Sequence, residues 1–208
     1  MHLQSLYTLQ PLFLKPLYYP GDTIFNRHLK SIGKTISFRS FNLEKDTDLI
    51  HQWVNQPYAL PFWQLDGNRE RVHELYHNIQ RNSNGHSYIG LLDGDPICQF
   101  DVYRVLADEL HQFVSVNEND CGFHLLMSPN NNPIPGLTVQ VVESFLHYYF
   151  SFPKANQMYA EPDLTNRRSN RILQTLGFTY HHAIEMSYKT AKLYSITKEQ
   201  FYAAHPKL

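Results

Sequence analysis

The sequence predicts a mixed α/β domain, α+β in character, organised around a central and largely antiparallel sheet flanked by helices. Three observations carry that prediction. Short runs with the two-residue alternation of strands are interleaved with stretches whose apolar residues recur at helical spacing. The stretch from Asp120 to Phe178 reads strand, turn, helix, strand, helix, and so contains one βαβ-like unit. Hydrophobic residues make up 42% of the chain, with 13 Phe and 14 Tyr, enough to fill an aromatic-rich core in 208 residues.

Residues 1–34 read as an N-terminal extension packed on the domain, and 35–208 as a single domain. Thr35 to Phe41 alternates polar and apolar positions, the pattern of a strand. Asn42 or Asp46 can cap the helix that follows, whose Leu49, Ile50, Trp53 and Val54 form an apolar stripe and which Pro57 ends. Ala59 to Gly67 is rich in aromatics but neither helical nor alternating, as a loop lining a cleft would be. A second helix runs from Arg69 to Arg81 with Val72, Leu75, Tyr76 and Ile79 inward. His86–Leu92 and Ile97–Tyr103 form a hairpin about the Asp93-Gly94 turn. Val105 to Glu118 is a polar connection with a short strand expected at Phe113–Val116.

Asp120 to Ser128 is an apolar strand with His124 in its middle, closed by the proline- and asparagine-rich turn Pro129–Gly136. Leu137, Gln140, Val141, Ser144, Phe145 and Tyr148 mark a helix as far as Phe152, where Pro153 forbids continuation. Gln157–Glu161 has the brevity of a strand. Thr165 can cap the next helix, which carries Ile172, Leu173 and Leu176 on one face and stops at Gly177. Phe178–Tyr188 and Lys192–Ile196 read as strands, and Thr197 caps a short last helix through Tyr202.

Several function classes are disfavoured by composition. With 18 basic and 19 acidic residues the formal charge is −1, which gives no global attraction to nucleic acid or to an anionic membrane. No run of about 18 apolar residues is present, so a cytoplasmic protein without a membrane span is expected. The histidines lack the two-plus-two or His-Glu-x-x-His spacing of a metal site, and no metal is expected. Cys98 and Cys121 lie in separate strands and read as buried free thiols.

Asn166 to Phe178 resembles the last motif of the GNAT acyltransferases, which reads Asn-x-x-Ala-x-x-Leu-Tyr-x-x-x-Gly-Phe. Four further segments, His51–Pro57, Phe62-Trp63-Gln64, Gly122–Leu125 and Glu161-Pro162-Asp163, are similar to the siderophore-biosynthesis branch of that family. Members of this branch, as in aerobactin-, rhizobactin- and mycobactin-type pathways, acylate the side-chain or N-hydroxylated amine of lysine or a diamine. The resemblance covers residues 36–203 and departs from the family in two places. The phosphate loop, Gln/Arg-x-x-Gly-x-Gly/Ala in the family, has Asn131 first and Ile134 fourth when its last position is set on Gly136, and Pro133 and Pro135 remove two backbone donors. Leu173 stands where many members have a tyrosine able to protonate the leaving thiolate.

The resemblance implies an acetyl-coenzyme A or succinyl-coenzyme A dependent N-acyltransferase, monomeric or homodimeric, with a small amine or hydroxylamine as acceptor. On that reading the backbone of Leu126 and Met127 pairs with the pantetheine amides. Gly136, Leu137 and Thr138 hold the pyrophosphate at a helix N-terminus, where free N–H groups favour an anion. Asn166 hydrogen-bonds the pantetheine arm or only stabilises its turn, and of Arg167, Arg168 and Arg171, with Arg171 the candidate, one meets a phosphate while at least two lie on a solvated helix face. His124 handles the proton, with space beside it because Gly122 shares its strand face; the plain alternative is a core histidine. Asp163 orients the acceptor, or serves only as an N-terminal charge for the Thr165 helix. Trp63 and Gln64 line the acceptor pocket, or Trp63 simply packs. An aminoglycoside N-acetyltransferase and a non-catalytic module that keeps the fold are the rival readings.

Overall fold

The structure, a computed structural model, describes residues 22–65, 67–129 and 132–206. The expectations for the first 21 residues of the N-terminal extension, and for Asn131, lie outside those residues. Among the described residues eight strands form: β1 (Thr23–Leu29), β2 (Lys34–Ser40), β3 (Gly85–Leu92), β4 (Asp95–Arg104), β5 (Cys121–Met127), β6 (Gln157–Ala160), β7 (Thr179–Glu185) and β8 (Thr190–Thr197). Their order across the sheet is β1-β2-β3-β4-β5-β6-β8-β7. The β1–β2, β2–β3, β6–β8 and β7–β8 pairs are antiparallel, whereas β5 and β6 are parallel. The expected mixed, largely antiparallel sheet is therefore what forms, with the βαβ unit where the sequence placed it.

The chain divides into two compact units, one holding the described residues up to Asp101 together with His124–Pro135, the other Val102–Phe123 and the chain from Gly136. In the first, α1 (Leu43–Val54), the single turn α2 (Leu60–Trp63) and α3 (Arg69–Arg81) join the strands. Asn42 caps α1, its side chain accepting from the N–H groups of Glu44 and Lys45 at 3.1 Å. Asp46 is engaged elsewhere, since both its oxygens take the Arg39 guanidinium, at 2.6 and 2.7 Å. Ile50, Trp53, Val54, Val72 and Tyr76 from the helices pack with Ile89, Leu91 and Leu126 from the strands. Burying each large apolar side chain is worth about 1.5–3 kcal/mol, so this cluster fixes the helices on the strand face that carries Leu126. Where a loop was expected, Pro61 sits in the first turn of α2 and Gln64 ends it at φ 49°. The Asp93-Gly94 turn is confirmed, with φ of 52° and 97° at the two positions, as a type I′ hairpin requires.

In the second unit, α4 (Leu137–Phe150), α5 (Arg167–Thr175) and α6 (Lys198–Ala204) accompany the strands. Gly136 opens α4 at φ 78°, a left-handed conformation that a residue with a side chain rarely adopts. Asn166, rather than Thr165, is the cap of α5, accepting from the Ser169 N–H at 3.1 Å. Thr197 caps α6 in a capping box with Gln200, as expected. The strand expected at Phe113–Val116 does not form. Val105–Ala107 and Glu109–Gln112 wind into 3-10 turns instead, and the Asp108 side chain accepts from the Leu110 N–H at 2.9 Å. Phe113, Val114 and Val116 then bury their side chains against Tyr159, Ile184 and Leu193 without joining a ladder.

Candidate active site

His124 and its surroundings follow from one register. Ser128 N–H donates to the Ile97 carbonyl at 2.8 Å, and Val105 N–H donates to the Asp120 carbonyl at 3.1 Å. These bonds flank the β4–β5 ladder and give the same alignment at both ends, with Gln99 opposite Leu126, Asp101 opposite His124 and Tyr103 opposite Gly122. Directly opposed residues on one sheet face hold their Cβ atoms about 4.5–5.5 Å apart. Gly122, His124 and Leu126 therefore share a face with the polar trio Gln99, Asp101 and Tyr103.

Gly122 does not leave open space on that face, contrary to expectation. A Cβ there would stand 2.2 Å from the ring and hydroxyl of Tyr103, so the glycine makes room for that ring. The Tyr103 hydroxyl donates to Glu161 Oε2 at 2.7 Å, and Lys189 pairs with Glu161 Oε1 at 3.5 Å. Burial first, and then the Glu161 carboxylate, push the Tyr103 phenol well above its ordinary pKa. It is a fixed donor and a poor acid.

His124 is half-buried, its ring meeting Trp63 edge-on with centroids 6.3 Å apart and planes at 80°. Trp63 packs against the cluster of Ile50, Trp53 and Leu126, while Gln64 is exposed. On the neighbouring strand, Asp101 is 8% exposed. Its Oδ1 accepts from Ser87 Oγ and Gln99 Nε2, and its Oδ2 from the Tyr76 hydroxyl at 3.3 Å. Burial pushes the Asp101 carboxyl up, while the Ser87 hydrogen bond and then the His124 charge pull it down. Among the described residues Gln99 Oε1 is buried without a partner. Sequence reasoning passed over Asp101. The signal was there: Gln99, Asp101 and Tyr103 alternate along a strand that is otherwise apolar, and buried polar groups need partners.

The same register corrects the backbone expectation. Ser128 turns its N–H toward β4, so by alternation Leu126 does too, and its side chain is core at 1% exposure. Leu125 and Met127 present N–H and C=O on the other edge of β5. The parallel ladder with β6 reaches only Cys121–Met158 and Gly122–Tyr159, so β5 continues for five residues beyond it. The Met127 carbonyl accepts from the Tyr58 hydroxyl at 2.6 Å. At the start of α4, Leu137 is buried and Thr138 half-buried. Gly136 turns the chain so that the first N–H groups of α4 end the helix without an intrahelical partner, which suits an anion.

Asp163 is half-exposed, and its Oδ1 accepts from the Thr165 N–H at 2.7 Å and the Thr165 hydroxyl at 2.5 Å. Asn170, buried in α5, donates to the Asp163 carbonyl at 3.1 Å and to the Asn166 carbonyl at 2.7 Å. One oxygen of Asp163 is thus committed to the turn before α5. Asn166 spends its side-chain oxygen on the α5 cap, and Arg171 is exposed on that helix. Leu173 is core at 4% exposure. Cys98 and Cys121 are free and buried, as expected. Burial pushes the Cys121 thiol up to about 12 and the Cys98 thiol higher still, which leaves neither a nucleophile near neutral pH. Among the described residues no group of three His, Cys, Asp or Glu side chains is placed to hold a metal, and no helix is long and apolar enough to cross a membrane.

The chain thus combines one parallel pair in an otherwise antiparallel sheet, a glycine-opened helix after β5 and a histidine on that strand. The model of the acetyltransferase (GNAT) domain matches residues 42–186, and the chain belongs to that family. An N-hydroxyputrescine acetyltransferase of Acinetobacter baumannii is 26% identical over 166 residues, covering 80% of this chain and 79% of the relative. An N(6)-hydroxylysine O-acetyltransferase of Escherichia coli is 23% identical over 186 residues, covering 88% and 58%. A Schizosaccharomyces pombe protein whose name gives lysine N-acyltransferase as its provisional activity is 26% identical, and the chain spans 56% of its length. Among solved structures, an uncharacterized Bacillus halodurans protein superposes with a TM-score of 0.81 at 23% identity, covering 86% of this chain and 92% of that one. The aminoglycoside acetyltransferase AAC(6')-Ib in complex with coenzyme A gives 0.72 at 19% identity, covering 81% and 98%. The resemblance read from the motifs, to the siderophore-biosynthesis branch that acylates a side-chain or N-hydroxylated amine, agrees with the names of these sequence relatives.

Proposed function

We propose that the protein transfers an acyl group from acyl-coenzyme A to the nitrogen of an N-hydroxylated lysine or diamine, forming a hydroxamate for iron chelation. The observation that carries this reading is His124, half-buried on the part of β5 that runs past its ladder with β6 and edge-on to Trp63. The nitrogen attacks the thioester carbonyl, His124 takes the proton that the nitrogen loses, and the C–S bond breaks with coenzyme A leaving as its thiolate. Transfer is direct, because Cys98 and Cys121 are too deeply buried and too weakly acidic to form an acyl-enzyme. Leu125 and Met127 would pair with the pantetheine amides through their outward backbone groups, and Gly136, Leu137 and Thr138 would hold the phosphates. Asp163 would offer its second oxygen to the acceptor, Asn166 would steady the α5 end, and Arg171 would meet a phosphate.

An aminoglycoside acceptor is polycationic and calls for acidic walls. Among the described residues flanking Trp63 in the chain, the large exposed side chains Tyr58, Leu60 and Phe62, at 45%, 41% and 39% exposure, are apolar or aromatic, which suits an alkyl chain. Thiol release from acetyl- and succinyl-coenzyme A, measured with plain amines, their N-hydroxylated forms and kanamycin, tests the proposal. Release with hydroxylated amines, and a hydroxamate identified by mass, is the expected result. No release with any acceptor, together with acetyl-coenzyme A binding weaker than about 1 mM (−4 kcal/mol), would instead identify a non-catalytic module.

A further inference from the structure

We infer that Asp101 is a positioning residue for His124: from the opposite strand it orients the imidazole and stabilises the imidazolium formed when His124 accepts the acceptor's proton. The inference rests on the reading of His124 as the base. The ladder alignment sets the two residues directly opposite one another on one face, within the distance of a cross-strand side-chain pair. Asp101 is itself held in place. Its oxygens accept from Ser87 on β3, Gln99 on β4 and Tyr76 on α3, which fixes the carboxylate plane from three elements of its own unit.

A carboxylate so anchored cannot swing out to an acceptor, but it can hold an imidazole in one orientation and tautomer. Trp63 faces His124 from α2, Tyr76 faces Asp101 from α3, and Ser87 and Gln99 complete the network. The Tyr76 phenol is pushed well above its usual range by burial and by Asp101, so it stays a neutral donor. Tyr103, two residues further along β4, is likewise neutral and donates to Glu161. His86 lies on the other face of β3 from Ser87, bonded to Ser40 at 3.0 Å. The His124 charge favours the Asp101 carboxylate, and by linkage that carboxylate favours the imidazolium.

The sign of the coupling gives the test. A base must be neutral, so kcat/KM rises with pH through the His124 titration. An anionic Asp101 favours the imidazolium and holds that rise at higher pH. In Asp101→Asn the rise moves to lower pH, and the plateau of kcat falls about tenfold to a hundredfold as orientation and imidazolium stabilisation are lost. Asp101→Glu, which keeps the carboxylate, restores the position of the rise in part. The His124 resonance, assigned by its absence in His124→Gln, is titrated in parallel and shifts in the same direction in Asp101→Asn. A merely structural aspartate would lower activity uniformly and leave both titrations in place, which overturns the inference. Should Asp101→Asn be insoluble, the wild-type His124 titration decides. Two inflections show the coupling, and a single simple one overturns it. The two readings fail separately. An active His124→Ala alongside a shifted His124 titration sinks the base and keeps the pair, whereas an inactive His124→Ala with unshifted titrations keeps the base and sinks the pair.

Discussion

Asp101, within β4, and Asp163, just past the end of β6, are acids held in opposite ways. Asp101 is buried and receives side-chain donors from α3, β3 and β4. Asp163 is half-exposed and receives its donors from Thr165, two residues away in the same turn. A carboxylate fixed from three elements cannot move without disturbing a core, and acts by holding something else. One fixed by its own turn keeps an oxygen for solvent or a ligand. On the proposed reading, Asp101 serves the histidine and Asp163 the acceptor.

The largest expected effect comes from removing the group that Asp101 serves. His124→Ala should lower kcat by about 10²-fold or more while leaving the KM for acyl-coenzyme A nearly unchanged, since general-base assistance is worth about 10²- to 10⁴-fold. Hydroxylamine acceptors should lose less than the matching plain amines, because they need less help to shed a proton. Steady-state kinetics on a folded variant would break the assignment if kcat stayed at the wild-type level with every acceptor.

Next in size is the packing that shapes the histidine's strand face. Gly122→Ala puts a methyl group 2.2 Å from the Tyr103 ring, and overpacking of this kind costs about 1–3 kcal/mol. Thermal and denaturant melts should show the loss, and Gly122→Ala combined with Tyr103→Leu should recover part of it. Unchanged stability in the single variant would mean that the Tyr103–Glu161 bond does not fix the ring.

Asp163→Asn gives the smallest effect and the sharpest contrast. The amide oxygen can still accept from Thr165, so the turn survives while the charge goes. The acceptor KM should rise about tenfold, worth about 1.4 kcal/mol, with kcat and the melting temperature little altered. If the KM stays put, Asp163 serves only its turn.

The same contrast explains what could be read from the sequence. Asp163 could be singled out from the sequence because Glu161-Pro162-Asp163 is a local motif, and its bond to Thr165, two residues away, is equally local. The type I′ turn at Asp93-Gly94 and the Thr197 capping box were legible for the same reason. Asp101 was not, because its significance lies in residues 14, 23 and 25 positions away, Ser87, His124 and Tyr76, which only the strand register brings together. The filling of Gly122 by Tyr103 and the inward turn of the Leu126 backbone are likewise properties of pairing. The strand expected at Phe113–Val116 failed for a related reason: its apolar residues pack, partly buried, against Tyr159 and Leu193, and such packing needs no ladder.

The proposed reaction stands or falls on whether the acceptor nitrogen arrives hydroxylated and mostly neutral. A plain alkyl amine has a pKa near 10.4, so only about one molecule in 2,500 is a free nucleophile at pH 7. The quantity to measure is the ratio of kcat/KM for an N-hydroxylated acceptor to that for its parent amine, by thiol release at pH 7 on the wild-type protein. A ratio of about 10² or more in favour of the hydroxylated acceptor is expected for at least one of lysine, putrescine, cadaverine and diaminopropane. A ratio near or below one for all four pairs would contradict it.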